Sequence, residues 1–374
     1  GEGIAIALPE SGWVLVDGCR AVKQGMLDTF PLEHVVREHR ANAGDRVELM
    51  VLTHPHRDHA HGFAELVTRF DPPRIALTGT ATPLRTLAEE AAALEAARAR
   101  QTTGQALRTG TVLRALRAIN TWADEEGHEL LAACDGQTLL DRSNVAVLAR
   151  APDQEQLSTW FRAGRMAKMM VESGNWLSAV LEVCFGETRI VLGGDLPATD
   201  EGVAVPCGWN LVMGRHPHLA YHHGLKVPHH GSREALHEDL VGPMRHGARA
   251  WCLTPFNSSS LPRTDDEDGL DILLRGQSPV LLTALSLSKK LQSARDDGRV
   301  TPQSLDGATR ELRAGNTFTS EDTLWRSGTA LDPLDAVWCV AFDANGETRG
   351  RWRGRAALEV FAPSKKEAAR PRKG

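Results

Sequence analysis

Histidine and aspartate side chains are concentrated in one short stretch of this chain. The sequence HPHRDH carries His54, His56, Asp58 and His59 within six residues. Imidazole nitrogens and carboxylate oxygens are the usual protein ligands of Zn²⁺ and of neighbouring divalent transition metals. Because a solvated loop rarely collects four such side chains at this spacing, the stretch predicts a metal site.

The residues around this stretch predict the elements that position it. The apolar run RVELMVLTH predicts a buried strand that ends at the first histidine. In an extended segment His54 and His56 point to the same side, and a turn after them would bring Asp58 and His59 round to the same pocket. Two earlier runs, IAIAL and WVLVDG, predict a hairpin around the turn PESG.

The stretch HPHRDH resembles the HxHxDH signature of the metallo-β-lactamase superfamily. The resemblance implies an αββα sandwich, a fold of the α/β class, with a two-metal site at one edge. Later features follow in the family's order: WVLVDG ends in Asp17 and Gly18, RIVLGGD ends in Asp195, and LKVPHHGS contains His229 and His230. In relatives the early aspartate supports the ligand loop, the later one bridges the metals and the last histidine is a ligand.

Only one histidine of the HH pair is expected to bind, because adjacent residues of a strand face opposite ways. By analogy with a ligand followed directly by glycine, we favour His230 over His229. Many superfamily members have a further histidine before the bridging aspartate, but this chain has Asn175 and Ser178 there. That pattern resembles the soluble hydrolase domain of ComEC-type DNA-uptake proteins and their stand-alone relatives, over about residues 1–260, and implies nuclease or phosphodiesterase chemistry.

The resemblance implies two divalent metal ions, with Zn²⁺ expected first and Mn²⁺ or Fe²⁺ also compatible. The implied ligands are His54, His56, Asp58, His59, Asp195 and His230. The two earliest histidines would hold the first metal with Asn175 nearby, Asp58, His59 and His230 would hold the second, and Asp195 would bridge. Such a pair can hold a shared hydroxide and stabilise charge on the attacking and leaving oxygens. Asp58, which would orient that hydroxide, and Asp195 are therefore the expected catalytic residues.

Three residues near the HHGS sequence are candidates for substrate contact. Ser232 ends this sequence and Arg233 follows it, and both could meet a substrate oxygen, although a serine ending a turn is equally ordinary. Lys226 could contact a phosphate or could be a lysine at a strand edge. Asp17 and Ser178 are expected to support the site rather than to bind substrate.

Strand-like runs dominate the chain and predict an α/β domain over residues 1–285. Residues 84–126 are rich in Ala, Leu, Glu and Arg at helical spacing, which predicts an inserted pair of helices broken near 102–111. Residues 286–363, with a predicted hairpin DAVWCVAFD and RGRWRG, would complete the sandwich or form a small accessory unit. The basic tail 364–374 is expected to be disordered.

Composition narrows the cellular setting. The formal net charge of the 374 residues is −5, which argues against a surface that coats nucleic acid. Six cysteines without a C-x-x-C pair favour a reduced compartment. No apolar run reaches the roughly 20 residues of a membrane helix, and the N-terminus lacks the pattern of a signal peptide, although the chain begins without Met. We expect a cytoplasmic bacterial protein without a membrane segment.

Several functions remain open at the level of sequence. The leading interpretation is a phosphodiesterase or nuclease acting on a phosphodiester substrate that could be nucleic acid. A carbon-centred hydrolase acting on a lactone, thioester or β-lactam is the alternative, although such relatives usually carry the middle histidine that is absent here. A partner-dependent component of a bacterial defence system is a further alternative. A non-catalytic protein on a decayed fold is disfavoured, because decay normally loses ligands first.

Overall fold

Helices and strands of a mixed α/β fold make up the described parts of the chain, in agreement with the predicted α/β class. The chain divides into two compact units: unit 1 comprises Gly1–Phe185 and Gly193–Pro197, and unit 2 comprises Gly186–Leu192 and Ala198–Gly374. The computed structural model describes residues 2–9, 12–20, 30–39, 46–78, 106–142, 144–162, 174–198, 207–242, 250–256, 261–263, 268–275, 280–283, 301–302, 309–311, 338–353 and 358–361.

A five-stranded sheet lies in unit 1. In spatial order its strands are β1 (Ile4–Ala7), β2 (Trp13–Val16), β3 (Val47–Leu52), β4 (Arg74–Leu77) and β5 (Glu129–Ala132). β1 and β2 pair antiparallel, which confirms the predicted hairpin. The pairs from β2 to β5 are all parallel.

Strand β3 is the most deeply placed strand of this sheet. All six of its side chains are buried, as is typical of an interior parallel strand covered on both faces. Its one charged residue, Glu48, is paired with Arg46 at 3.0 Å and with Arg142 at 2.9 Å. Because β3 ends at Leu52, the histidine-rich stretch begins at the end of a rigidly packed strand.

Helices of unit 1 share a buried core with this sheet. They are α1 (Pro31–His39), α2 (Arg57–Ala60), α3 (Phe63–Phe70), α4 (Ala106–Ala123) and α5 (Gln154–Arg162). Leu116 and Ile119 of α4 join Phe63 and Leu66 of α3 in the buried core. The interruption predicted at 102–111 is wrong for residues 106–111, which are helical.

The reason for that difference is energetic. Gly110 costs a helix about 1 kcal/mol relative to alanine, and the apolar burial that follows it outweighs this cost. The first part of the predicted helical insertion, through residue 105, lies outside the described residues.

A second group of strands in unit 1 is antiparallel. It contains β6 (Thr138–Arg142), β7 (Val145–Ala151) and β8 (Val180–Phe185). A short 3₁₀ turn, Gly174–Leu177, immediately precedes β8. The amide of Ala179 donates to the carbonyl of Thr53 at 2.8 Å, so the entry to β8 is tied to the residue that follows β3.

Unit 2 is built on a sheet with a parallel centre. The parallel strands are β9 (Thr188–Leu192), β10 (Gly224–Lys226), β11 (Ala250–Leu253) and β12 (Val280–Leu282). The sheet continues antiparallel through β17 (Leu358–Phe361) to β13 (Thr301–Pro302). Its described helices are α6 (Gly208–Arg215), α7 (Glu238–Val241) and α8 (Gly269–Arg275).

The late residues of the chain also form a three-stranded sheet within unit 2. β16 (Thr348–Arg353) lies between β14 (Thr309–Glu311) and β15 (Trp338–Phe342). β15 and β16 pair antiparallel, which confirms the predicted late hairpin. The predicted tail 364–374 lies outside the described residues. Among the described helices, none combines the length and apolar character required to cross a membrane.

Candidate metal centre

The loop after β3 turns back on itself within six residues. The amide of His56 donates to the carbonyl of His54 at 2.9 Å, and the carbonyl of His56 accepts from the amides of His59 at 3.2 Å and Ala60 at 2.8 Å. This one-turn helix, α2, places Asp58 and His59 beside the two preceding histidines. His54 and His59 are fully buried, whereas Asp58 is partly exposed.

Asp195 is brought to the same place by a tight turn. Gly194 has φ +51°, and a Cβ there would lie 3.0 Å from the carbonyl oxygen of Ala179, so the backbone needs glycine. The amide of Asp195 donates to Oγ of Ser178 at 3.1 Å. Ser178 therefore holds the backbone of the buried carboxylate and does not need to bind a metal itself.

The ligand atoms converge on Oδ2 of Asp195. Nε2 of His59 lies 3.3 Å from it and Nε2 of His54 lies 3.9 Å from it. Oδ2 of Asp58 lies 3.7 Å from Nε2 of His59. Two ligands of one tetrahedral Zn²⁺ at about 2.0–2.2 Å from the ion are roughly 3.3–3.6 Å apart. The group formed by Asp58, His59 and Asp195 thus has dimensions suited to a metal ion.

His56 completes the cluster of rings on the side of His54. The two ring centroids are 4.7 Å apart in an edge-on arrangement. Gly174 makes room for His56, since a Cβ at Gly174 would lie 2.6 Å from its Nε2. Asn175 follows directly, and its carbonyl accepts from the amide of Ser178 at 3.0 Å, which closes the 3₁₀ turn. The segment carrying the predicted Asn175 and Ser178 therefore borders the cluster.

Asp17 lies behind His59, on the Nδ1 side of its ring. Oδ2 of Asp17 accepts from Nδ1 of His59 at 2.7 Å, and Oδ1 accepts from the amide of Thr53 at 2.7 Å. Asp17 adopts the left-handed conformation, with φ 62°. Gly18 is required next, because a Cβ there would lie 2.6 Å from the amide nitrogen of Phe63. The geometry matches a supporting role for Asp17.

Burial and neighbouring charges shift the pKa values of these groups in different directions. Burial holds the pKa of His54 well below its ordinary value of 6.5. Burial also acts to lower the pKa of His59, but the carboxylates of Asp195 and Asp17 outweigh it and raise that pKa well above 6.5. Burial raises the pKa of Asp17, opposed by His59 and by hydrogen bonds from Thr53. The pKa values of two adjacent imidazoles are thus shifted in opposite directions.

The predicted residues His229 and His230 lie in unit 2. Both have left-handed backbone conformations, with φ 44° and 52°, and Gly231 continues at φ 74°. Non-glycine residues rarely adopt this conformation outside functional sites. His230 is buried, its Nδ1 lies 2.8 Å from the carbonyl oxygen of Thr254, and its ring stacks on Phe256 with centroids 4.9 Å apart.

That contact with Thr254 has a chemical consequence for His230. If Nδ1 carries the proton and donates it to the carbonyl, Nε2 is left with a lone pair suited to a metal. His229 is only partly buried. The constraint on the ring of His230 favours it as the ligand of the pair, as the sequence predicts.

The three predicted substrate contacts also lie in unit 2. Lys226 ends β10 and is buried. Because β10 pairs with β9 on one side and β11 on the other, the interpretation of Lys226 as a strand-edge lysine is wrong. Ser232 is partly exposed and Arg233 is exposed.

Sequence reasoning missed two residues of this centre, Thr53 and Gly174. Thr53 contacts both Asp17 and the neighbouring histidines, and Gly174 accommodates the ring of His56. Thr53 adjoins the ligand motif, which was the available signal for it. The signal for Gly174 was its position immediately before Asn175.

No family model matches the chain, and no curated protein matches it significantly. Assignment of a function therefore depends on the chemistry of the cluster itself. Buried imidazoles and carboxylates within metal-ligand distance of one another can bind a divalent cation, orient a water molecule and accept a proton.

Proposed function

We propose that this chain is a metal-dependent hydrolase of the metallo-β-lactamase type, and specifically a phosphodiesterase or nuclease. The observation that carries the proposal is the convergence of Nε2 of His54 and Nε2 of His59 on Oδ2 of Asp195, at 3.9 and 3.3 Å. A carboxylate oxygen approached from two sides by imidazole nitrogens is the arrangement expected of a group that bridges two cations.

A metal ion fits this donor set. Among the described residues, Nε2 of His54 is buried and has no hydrogen-bond partner. Burying a polar atom without a partner costs about 1–3 kcal/mol, and coordination to a cation would offset that cost. The low pKa of His54 keeps its ring neutral, as a ligand must be.

We assign the ligands as the sequence predicts. His54 and His56 would hold one ion with Asn175 nearby, Asp58 and His59 would hold the other, and Asp195 would contact both. The role of His230 as a further ligand stays a prediction of the sequence. Two divalent ions there would lower the pKa of bound water toward neutrality and neutralise charge on phosphoryl oxygens.

The surrounding residues have distinct roles in this proposal. Asp58, the most exposed of the carboxylates in the cluster, accepts a proton from the attacking water and orients it. Asp195, held by Ser178, fixes the spacing of the ligands. Contact of Lys226, Ser232 and Arg233 with a substrate oxygen stays a prediction of the sequence. We also propose that the two strand groups of unit 1 belong to an αββα sandwich.

A phosphodiester substrate is favoured over a carbon-centred one by the residues at the middle ligand position. The turn that borders His56 carries Asn175 and is followed directly by Ser178, whereas relatives acting on lactones, thioesters or β-lactams usually place a histidine in this segment. The carbon-centred hydrolase is the second candidate. The third candidate is an enzyme that acts only together with a protein partner of a bacterial defence system.

A paired assay tests the leading proposal. Cleavage of bis-p-nitrophenyl phosphate, single-stranded DNA, double-stranded DNA and RNA is measured with Zn²⁺ or Mn²⁺ added, for the wild type, Asp58→Ala and the matched control Asp124→Ala. Asp124 is exposed and lies far along the chain from the ligand loop, at the end of α4. We expect cleavage that depends on metal, is unchanged in the control and falls at least about 100-fold in Asp58→Ala.

Bound metal is counted in the same samples. Two ions per chain without phosphodiester cleavage would overturn the leading proposal and favour the carbon-centred hydrolase, which is then tested with lactone, thioester and β-lactam substrates. Absence of bound metal in the wild type would overturn all metal-dependent candidates.

A further inference from the structure

We propose that Thr53 is a positioning residue whose hydroxyl group selects the tautomers of two metal-binding histidines, so that both present an Nε2 lone pair to the same point. The inference rests on the proposed function for its purpose, because it assumes that His54 and His59 bind metal. The tautomers themselves are a property of the protein without metal and can be measured independently.

The contacts of the hydroxyl group define its hydrogen bonding. Oγ1 of Thr53 lies 2.9 Å from Oδ1 and 2.8 Å from Oδ2 of Asp17. It also lies 3.2 Å from Nδ1 of His54 and 3.4 Å from Nδ1 of His59. One hydroxyl group thus contacts a carboxylate and two imidazole rings in a buried location.

Counting protons assigns the direction of each bond. A hydroxyl has one proton to donate and two lone pairs that accept, whereas a carboxylate only accepts. The proton of Thr53 is therefore used toward Asp17, and its lone pairs remain to accept from imidazole. His54 must then carry a proton on Nδ1 and donate it to Thr53, which leaves Nε2 of His54 without a proton.

The carboxylate of Asp17 favours the same tautomer of His59, with the proton on Nδ1. Nδ1 of His59 lies 2.7 Å from Oδ2 of Asp17, close enough for a strong donated bond. When the ring is neutral, that proton sits on Nδ1 and the lone pair on Nε2. Both lone pairs then point toward Asp195, as ligation of metal by Nε2 requires.

The hydroxyl group cannot easily move away from this position. The amide of Thr53 donates to Oδ1 of Asp17 at 2.7 Å, and its carbonyl accepts from Oγ1 of Thr78 at 2.7 Å and from the amide of Ala179 at 2.8 Å. The β-branched side chain is also restricted at χ1. Backbone and side chain together therefore fix where the proton is donated.

Two substitutions at Thr53 separate the hydroxyl group from the shape of the side chain. Thr53→Val keeps the shape and removes the hydroxyl, whereas Thr53→Ser keeps the hydroxyl. Thr68→Val is the control, since it likewise removes a threonine hydroxyl that donates to a backbone carbonyl, that of Ala64 in α3, and in the described structure it contacts neither Thr53 nor the two histidines. Affinity for Zn²⁺ is measured by competition with a chelator, and the unfolding midpoint of the metal-free protein is measured in parallel.

We expect Thr53→Val to weaken Zn²⁺ binding about 10- to 100-fold, in the range typical of residues that orient metal ligands. Thr53→Ser should stay within about threefold of the wild type, and Thr68→Val should retain wild-type affinity. Equal affinity of Thr53→Val and wild type, or an equal loss in Thr68→Val, would overturn the proposal.

The tautomers are measured directly by ¹⁵N NMR of histidine-labelled, metal-free protein at pH 8, and this readout does not require any variant to fold. His54 is expected to carry its proton on Nδ1 in the wild type. A proton on Nε2 would overturn the proposal. If the NMR result and the Zn²⁺ affinities agree with expectation but no substrate is cleaved, the proposed hydrolase function fails while the role of Thr53 stands.

Discussion

At the scale of residues, the cluster places two neighbouring histidines in opposite electrostatic environments. His54 is buried among other imidazoles and is neutral, whereas His59 is buried between the carboxylates of Asp17 and Asp195 and retains a proton to higher pH. The two rings are only 4.2 Å apart between centroids. Binding of metal at this cluster must therefore displace a proton from His59 and none from His54.

Metal binding is consequently expected to depend on pH in a defined direction. Because the pKa of His59 is raised above 6.5 in the metal-free protein, a proton must leave its Nε2 before ligation. Affinity for Zn²⁺ should be highest above that raised pKa and should fall as the pH is lowered through it. Calorimetric titration in two buffers of different ionisation enthalpy should show net proton release at pH 7.

Asp17→Asn provides the matched variant for this prediction, because it removes one of the two carboxylates that raise the pKa of His59. Its affinity for Zn²⁺ should begin to fall at a lower pH than that of the wild type. An identical pH profile in the two proteins, or affinity that is flat from pH 8 to pH 6, would contradict this account.

At the scale of elements, short turns set the geometry of the site. The ligand loop is a single helical turn after β3. The 3₁₀ turn before β8 supplies a surface for His56, and Ser178, which follows that turn, supplies the hydroxyl that holds Asp195. Glycine is required where these turns approach the ligands most closely. The turn at Gly174 is the clearest case, because its missing side chain is the space that the ring of His56 fills.

Gly174→Ala should therefore weaken metal binding without unfolding the chain. The added Cβ would lie 2.6 Å from Nε2 of His56, so the ring must move from its present position. We expect Zn²⁺ affinity to fall roughly tenfold or more, in line with displacement of one ligand. Affinity and the unfolding midpoint in urea are measured together.

Gly110→Ala is the control for this substitution. Nothing lies within 4 Å of a Cβ at Gly110, which is in helix α4, so alanine there should stabilise the protein by about 0.5–1 kcal/mol and leave metal affinity unchanged. Wild-type affinity in Gly174→Ala would show that His56 does not contribute to the site.

Local patterns explain which parts of the fold and site were predictable. The hairpin of β1 and β2 and that of β15 and β16 were predicted because each is formed by neighbouring apolar runs with a turn between them. Strands β5 and β6 were missed, since short runs such as ELLA carry no distinctive period. The ligand motif was visible because its residues are contiguous.

The contacts of Thr53 could not be predicted in the same way. Its hydroxyl bonds to Asp17, which lies 36 residues earlier in the chain, and its carbonyl bonds to Thr78, 25 residues later. Only the parallel arrangement of β2, β3 and β4 places the ends of these strands side by side. Spacing along the sequence identifies ligands, but the residues that orient them follow from sheet topology.

At the scale of the whole molecule, the late residues are integrated into unit 2. Strand β17 pairs with β12, whose three side chains are fully buried. Nε1 of Trp338 donates to the carbonyl of Leu282 at 2.8 Å. The amide of Glu187 donates to the carbonyl of Ala344 at 2.7 Å, so the turn of the late hairpin also contacts the residues before β9. These contacts favour a structural role over a separable accessory unit.

Deletion of residues 286–374 should consequently destabilise the protein, because it exposes the hydrogen-bonding edge of β12 and the apolar side chains of that strand. An unpaired strand edge beside exposed apolar side chains promotes aggregation. We expect a large loss of soluble yield, whereas deletion of 364–374 alone should leave yield and the urea midpoint unchanged. A milder variant, Trp338→Phe, removes one hydrogen bond and should cost about 1 kcal/mol in urea unfolding. If the protein that lacks residues 286–374 is soluble and unfolds at the wild-type urea midpoint, the remaining sheet does not depend on β17. That result would identify the segment as an accessory unit.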